Sequence, residues 1–213
     1  IVALIGSCAK KDEETAATAA ADNTTSTDNT TSTTSYISTT TTASGSITMG
    51  DDTLSGVYAS ECLTSASTIA FFKATGFWAS EVNAYGQVFV VTGSDNISIE
   101  LYAFTDTSCS NLSLSQKTVS DNVTVGSASG SNYPVTYNNQ TQALTVHTTA
   151  AETALETLYS NALDFIVGTP IELPVSGSGL KYGLWTLSGT TWYEASSSSA
   201  TPTSAGTVPH VKQ

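Results

Sequence analysis

Residues 96–106, NISIELYAFTD, put Ile97, Ile99, Leu101 and Ala103 on one side of an extended chain. Ser98, Glu100, Tyr102 and Phe104 fall on the other, because successive side chains of a strand point to opposite faces. This two-residue period cannot form one apolar stripe on a helix. Similar short runs, rich in β-branched and aromatic residues, recur along the chain: LSGVYAS at 54–60, GQVFVVTG at 86–93, LSLSQKTVS at 112–120 and NVTVGSA at 122–128. Residues 133–149, YPVTYNNQTQALTVHTT, read as a hairpin turning at Asn138-Asn139. Residues 164–168, DFIVG, read as a further strand. LKYGLWTL and TTWYEA form a late hairpin through Ser188-Gly189, and the tail reads as loop, with a short final strand as the alternative. Many short strands separated by Gly, Asn, Asp and Ser predict a mainly β fold, an antiparallel barrel or sandwich.

One helix interrupts the pattern, over 149–163. Ala151, Ala154, Leu155, Leu158, Tyr159 and Ala162 share a stripe, and Thr149 and Glu152 have capping-box spacing. TIAFFKATGFWA at 68–79 fits either a helical turn or a loop burying Phe71, Phe72 and Trp78. Before residue 54 the composition is different. Residues 9–53 are dominated by Thr, Ser and Ala, with few large apolar side chains. Such a segment buries too little surface to offset its ordering entropy, so it is expected to be a disordered tether spanning roughly 35 Å. The expected organisation is therefore 1–7, 8–53 and a β-domain over 54–213.

At the start, IVALIG is too short to span a bilayer but has the character of the end of a signal-peptide apolar region. Ile5-Gly6-Ser7-Cys8 resembles the bacterial lipobox: an aliphatic residue, two small residues and the cysteine that receives diacylglycerol. The resemblance implies lipidation at Cys8, residues 1–7 as signal peptide, and a place in the cell envelope, at the outer membrane. The alternative is an ordinary secretory signal with an incidental cysteine. With Cys8 lipidated, Cys62 and Cys109 remain as a pair that export would allow to bridge; the alternative is two buried thiols.

The folded region resembles a lipocalin-type barrel. Gly56-Val57-Tyr58 stands where lipocalins carry Gly-x-Trp, and a hairpin, YGLWTLSGTTWYEA, precedes the segment ending VPHVKQ. Tyr58 departs from the motif, and strands follow the helix where a lipocalin's helix follows its strands. The resemblance implies a closed cup for a small apolar ligand and no catalytic residue.

The chain carries 18 acidic residues against 6 Lys and no Arg, a net charge of -12. It cannot neutralise a run of phosphates, which excludes nucleic acid as a partner. No metal-ligand spacing and no cofactor motif is present. GSASG at 126–130 has Ala128 where a nucleophile elbow carries Ser. His147 is expected on a solvent face, and His210 has no evident partner. A hydrolase would need Glu81, Glu100, Asp106, Glu152 and Asp164 to converge. The aromatics Trp78, Tyr102, Phe104, Tyr182, Trp185 and Trp192 are core packing or the lining of a ligand pocket. The function read from these features is a non-catalytic, lipid-anchored envelope domain that binds a small apolar ligand or an envelope protein. The alternative is a structural or adhesive surface component.

Overall fold

The computed structural model describes residues 35–175 and 179–213. Cys8, the signal-like segment and the first part of the expected tether lie outside the described residues. The strands are β1 (Ile47–Met49), β2 (Asp52–Leu54), β3 (Val57–Ala59), β4 (Ala84–Val91), β5 (Ile97–Phe104), β6 (Leu112–Val125), β7 (Asn132–Val146), β8 (Pro170–Leu173), β9 (Leu180–Ser188), β10 (Thr191–Ser197) and β11 (Pro209–Lys212). The helices are α1 (Ala66–Ala74) and α2 (Thr149–Leu158).

Eight strands close an antiparallel barrel in chain order: β3, β4, β5, β6, β7, β9, β10 and β11, with β11 pairing back to β3. Of the two expected architectures, this is the barrel. Strand β8 lies along residues 142–145 of β7, and β9 lies along residues 132–138 of the same strand. β8 and β9 are thus two halves of one interrupted strand.

The long β6–β7 hairpin departs from the sequence reading. LSLSQKTVS and NVTVGSA form one strand, and Asn138-Asn139 lie inside β7 instead of at a turn. The register slips beside them, between Val119 and Ser120 and again between Asp121 and Thr124. Asn122 takes φ 52° at the second slip. These polar residues mark bulges, which bend a long strand round a barrel and use the same residue types as turns. The true turn holds Gly130 at φ 63°. Residues 164–168 are not a strand either. Phe165 is fully buried as a plug, while Ile166 and Val167 are 54% and 45% exposed.

α2 begins one residue earlier than the capping-box spacing suggests. Thr148, not Thr149, is the N-cap and accepts from the Ala151 N–H. Ala151 and Leu155 are its buried face. α1 is a helix capped by Ser65, settling the ambiguity over 68–79. Both helices pack with Trp78, Phe165, Leu114, Leu144 and Val146 at one end of the barrel. The β1–β2 hairpin sends Ile47, Met49 and Leu54 into the opposite cluster with Phe89, Trp185 and Trp192.

That hairpin overturns the expectation that disorder runs to residue 53. Residues 36–44 also run across the outer face of β3, β4 and β5, where Ile37 is buried with Ala84, Val88 and Phe104. A few large apolar residues, Ile37, Ile47 and Met49, anchor a segment whose average composition is polar. Cys62 and Cys109, 47 positions apart in sequence, form a disulfide with Cα atoms 5.8 Å apart. It ties the chain after β3 to the β5–β6 loop.

Candidate functional site: the barrel interior

Register assigns each strand's inner face. Phe89 pairs with Ile99, Tyr133 with Trp185, and Trp192 with both Leu187 and His210. Phe89, Trp192 and Trp185 belong to one cluster, so these positions point inward. Alternation then turns Gln87 on β4, Leu101 on β5, Gln116 and Thr118 on β6, Tyr137 on β7 and Glu194 on β10 into the barrel.

The half of the interior next to the β1–β2 hairpin is filled by rings. Trp185 meets Trp192 edge-on at 4.9 Å between centroids, and Trp192 lies 4.5 Å from Phe89 and 5.6 Å from Tyr58. Gly183 makes room for this stack: a Cβ there would stand 3.0 Å from Trp185 Nε1 and 2.5 Å from Val135. Further along, packing loosens. Ile99 lies between fully buried Ile97 and buried Leu101 on the inner face of a central strand, yet keeps part of its surface exposed. Gln87, its diagonal neighbour on β4, and Glu194 do the same. The outer face of β4 and β5 is covered by residues 36–44, so this surface faces the lumen. Among the described residues, the cluster containing α1 and α2 has no residue from β3, β9, β10 or β11, and the helices cover the β4–β8 side of that end.

The polar groups inside are unevenly satisfied. His210 is buried, with Nδ1 3.3 Å from the Trp192 carbonyl, Nε2 3.3 Å from Gln87 Oε1, and its ring edge-on to Phe89 at 4.7 Å. Burial pushes its imidazole down to about 4, against the pull of the Trp192 carbonyl. Gln116 Nε2 donates to Thr118 Oγ1 at 3.3 Å. By contrast, Oε1 of Glu194 and the indole N–H groups of Trp185 and Trp192 are buried without a hydrogen-bond partner among the described residues. Burial raises the Glu194 carboxyl to about 7, and the hydroxyls of Ser196 and Tyr137 beside it pull the other way. Leaving such groups unpaired costs about 1–3 kcal/mol each.

Of the six aromatics singled out from the sequence, only Trp185 and Trp192 line this interior. Trp78 plugs the helical end, 4.4 Å from Phe72 and 5.5 Å from Tyr85. Tyr102 and Phe104 lie on the outer face beneath residues 36–44 and beside the disulfide. Tyr182 faces outward, one residue out of phase with Gly183 and Trp185. Period-two alternation separates these sets once one inward residue is known, and it also pairs Glu194 with Trp192, a signal present in TWYEA.

The carboxylates of a hydrolytic reading fall in different places. Glu81 accepts from Ser113 at 2.9 Å and from the α2 cap Thr148. Glu152 sits in the first turn of α2, and Asp164 is exposed. Glu100 is under the outer strap. Asp106 organises the β5–β6 loop, with Oδ1 accepting from Ser108 and Ser110 and Oδ2 from Asn111; these bonds hold its carboxyl well below the usual range. No group of His, Cys, Asp and Glu able to hold a metal occurs among the described residues. His147 is partly buried and bonded to Ser115 Oγ at 2.9 Å instead of fully facing solvent.

Fold and interior together define a closed up-and-down β-barrel with a partly polar lumen. The chain matches none of the protein-family models and none of the curated protein sequences with which it was compared.

Proposed function

We propose that this chain is a lipid-anchored β-barrel of the bacterial cell envelope, held at the outer membrane through Cys8, which takes a small ligand into its lumen and catalyses no reaction. The observation that carries the binding role is the partial exposure of inward-facing Gln87, Ile99 and Glu194, in a lumen whose Glu194 and tryptophan polar atoms lack partners. A barrel serving only as a rigid body gains nothing from such groups, because unpaired buried polar atoms oppose folding. The anchor rests on the lipobox-like Ile5-Gly6-Ser7-Cys8.

Intact-mass measurement of protein extracted from membranes tests both parts. Cleavage before Cys8 with added diacylglycerol and acyl mass supports the anchor. A small molecule retained under native spray and released on denaturation supports the binding role. A freely dissolved chain carrying residues 1–7 and a reactive Cys8 thiol would end the anchor reading.

A second reading, a surface component that docks on an envelope protein, draws on Phe71, which is 51% exposed on α1, together with Ile166 and Val167. Barrel closure removes free edges from eight strands, so self-association through sheet edges is left to β8 and the β1–β2 hairpin.

A further inference from the structure

The chain reaches the barrel at its helical end. Tyr36 bridges Glu61, and the Ile37 N–H donates to the Ser60 carbonyl at 3.2 Å, just before Leu63 leads into α1. Residues 36–44 then run to the other end of β4, where the Ser44 N–H donates to the Val91 carbonyl. A domain held through Cys8 is therefore attached by the end that carries α1 and α2.

The same end carries the apolar surface. The exposed positions of α1 are Ala66, Ser67, Ala70, Phe71 and Ala74, none of them charged. A helix packed on a core by one face ordinarily turns charged side chains to water on the other. Ile166 and Val167 follow the buried Phe165, and the Gly168 N–H donates to the Val146 carbonyl at the end of β7, which fixes their turn over this end. Phe71, Ile166 and Val167 are the large hydrophobic side chains exposed among the described residues, at 51%, 54% and 45%. Single exposed apolar residues need no explanation, but here all three lie at the attachment end. Lys73 is the only cation on α1, α2 or the segment from α2 to β8, against Glu152, Glu156 and Asp164. That balance suits a neutral surface and opposes an anionic one.

We propose that the helical end rests on the membrane: Phe71, Ile166 and Val167 enter the interface of a zwitterionic bilayer, and the β1–β2 hairpin points away from it. This rests on the anchor reading above and adds an orientation and a contact surface. An anchor at Cys8 keeps the face at high local concentration, so three side chains can hold a contact that a free domain would lose.

The test fixes the anchor chemically. With Cys62 and Cys109 joined, Cys8 is the free thiol of the full chain, and it is coupled to maleimide-phosphatidylethanolamine in phosphatidylcholine vesicles. Phe71→Trp reports contact with brominated acyl chains by fluorescence quenching, and Thr53→Trp on the hairpin is the control. The native tryptophans are at most 2% exposed, so they add little background. Quenching is expected at position 71 and not at 53. Ile166→Ser with Val167→Ser should lower the ratio of docked to undocked domain about tenfold, read as lost quenching at 71. If Phe71→Trp does not fold, hydrogen exchange on the coupled, otherwise unaltered chain decides: the amides of α1 and residues 165–168 should slow relative to the uncoupled chain, and those of the hairpin should not. No quenching at 71, or equal quenching at 53, overturns the orientation and leaves the apolar face to a protein partner. Tighter docking on vesicles rich in phosphatidylglycerol overturns the neutral-surface assignment. A natural chain whose Cys8 carries no lipid removes the anchor reading and this proposal with it, a failure seen in the intact mass and not in the quenching.

Discussion

Thr39 Oγ1 donates to Glu100 Oε2 at 2.6 Å, joining residues 61 positions apart. Glu100 is 2% exposed although it lies on the outer face of the barrel. Thr41 Oγ1, Tyr102 Oη at 2.6 Å and Ser98 Oγ at 3.2 Å also donate to its carboxylate, and Lys117 Nζ stands 3.9 Å away. Burial, reinforced by the neighbouring Glu100, holds the Tyr102 phenol well above its ordinary range. A segment read as tether is thus a strap whose hydroxyls solvate a buried charge.

Replacing both Thr39 and Thr41 with Ala should destabilise the domain by about 2–4 kcal/mol, since hydrogen bonds to a charged group contribute about 1.5–3 kcal/mol each and the two share one carboxylate. Urea denaturation measures it. Glu100→Gln, which keeps the shape and removes the charge, should cost less than the double threonine variant; a larger cost would mean that the Lys117 pair, not the strap, holds Glu100.

Gly86 lies under Ile37 so closely that an added Cβ would sit 2.2 Å from Ile37 Cγ1. Gly86→Ala should cost about 1–3 kcal/mol through overpacking. Ile37→Val in the same chain should recover part of that loss. A double-mutant cycle measures the coupling. Simple additivity would show that the strap does not seat on β4.

Reducing the Cys62–Cys109 bridge should lower stability by about 4 kcal/mol, the loop-entropy value for a crosslink closing 47 residues. The denaturant midpoint in the presence and absence of reductant reads this directly. Cys62→Ala with Cys109→Ala should show the same loss and no further response to reductant.

Glu194 and His210 act oppositely on pH-dependent stability. Glu194 is raised from 4.5 to about 7, so the folded chain holds a proton that the unfolded chain releases, and stability falls as pH rises from about 4.5 to 7. His210 is lowered from 6.5 to about 4, so the unfolded chain takes the extra proton, and stability rises with pH between about 4 and 6.5. The two windows overlap, and the unaltered protein should show a shallow profile there. Glu194→Gln should unmask a rise of about 3 kcal/mol between pH 4 and 6.5. His210→Gln should unmask a fall of similar size up to pH 7. Chemical denaturation across pH 4–8 resolves both, and profiles unchanged by either substitution would remove these groups as the cause.

The strands of this protein were legible because alternation is a local property. NISIELYAFTD and LKYGLWTL with TTWYEA carry their period within one run, and the structure forms β5, β9 and β10 there. The α2 stripe was equally plain. Segments that depend on partners were not. Asn138-Asn139 has turn chemistry, and only the register of β6 against β7 makes it a bulge. DFIVG has strand composition, but Phe165 is drawn into the helical-end cluster and leaves its neighbours exposed. Residues 36–53 looked too polar to fold, because composition does not reveal that Thr39 and Thr41 meet a carboxylate.

The same division runs through the site. Sequence alone determined a mainly β domain and which side chains share a face of each strand, since both follow from a two-residue period in one segment. It could not say which face is inside. That depends on how the sheet closes, and closure places Trp185, Trp192, Glu194 and His210 in the lumen while turning Tyr102, Phe104 and Tyr182 outward. Inside and outside are properties of the whole barrel: both faces of β5 are covered, one by the opposing wall and one by the strap, so its burial pattern carries no mark of which is which.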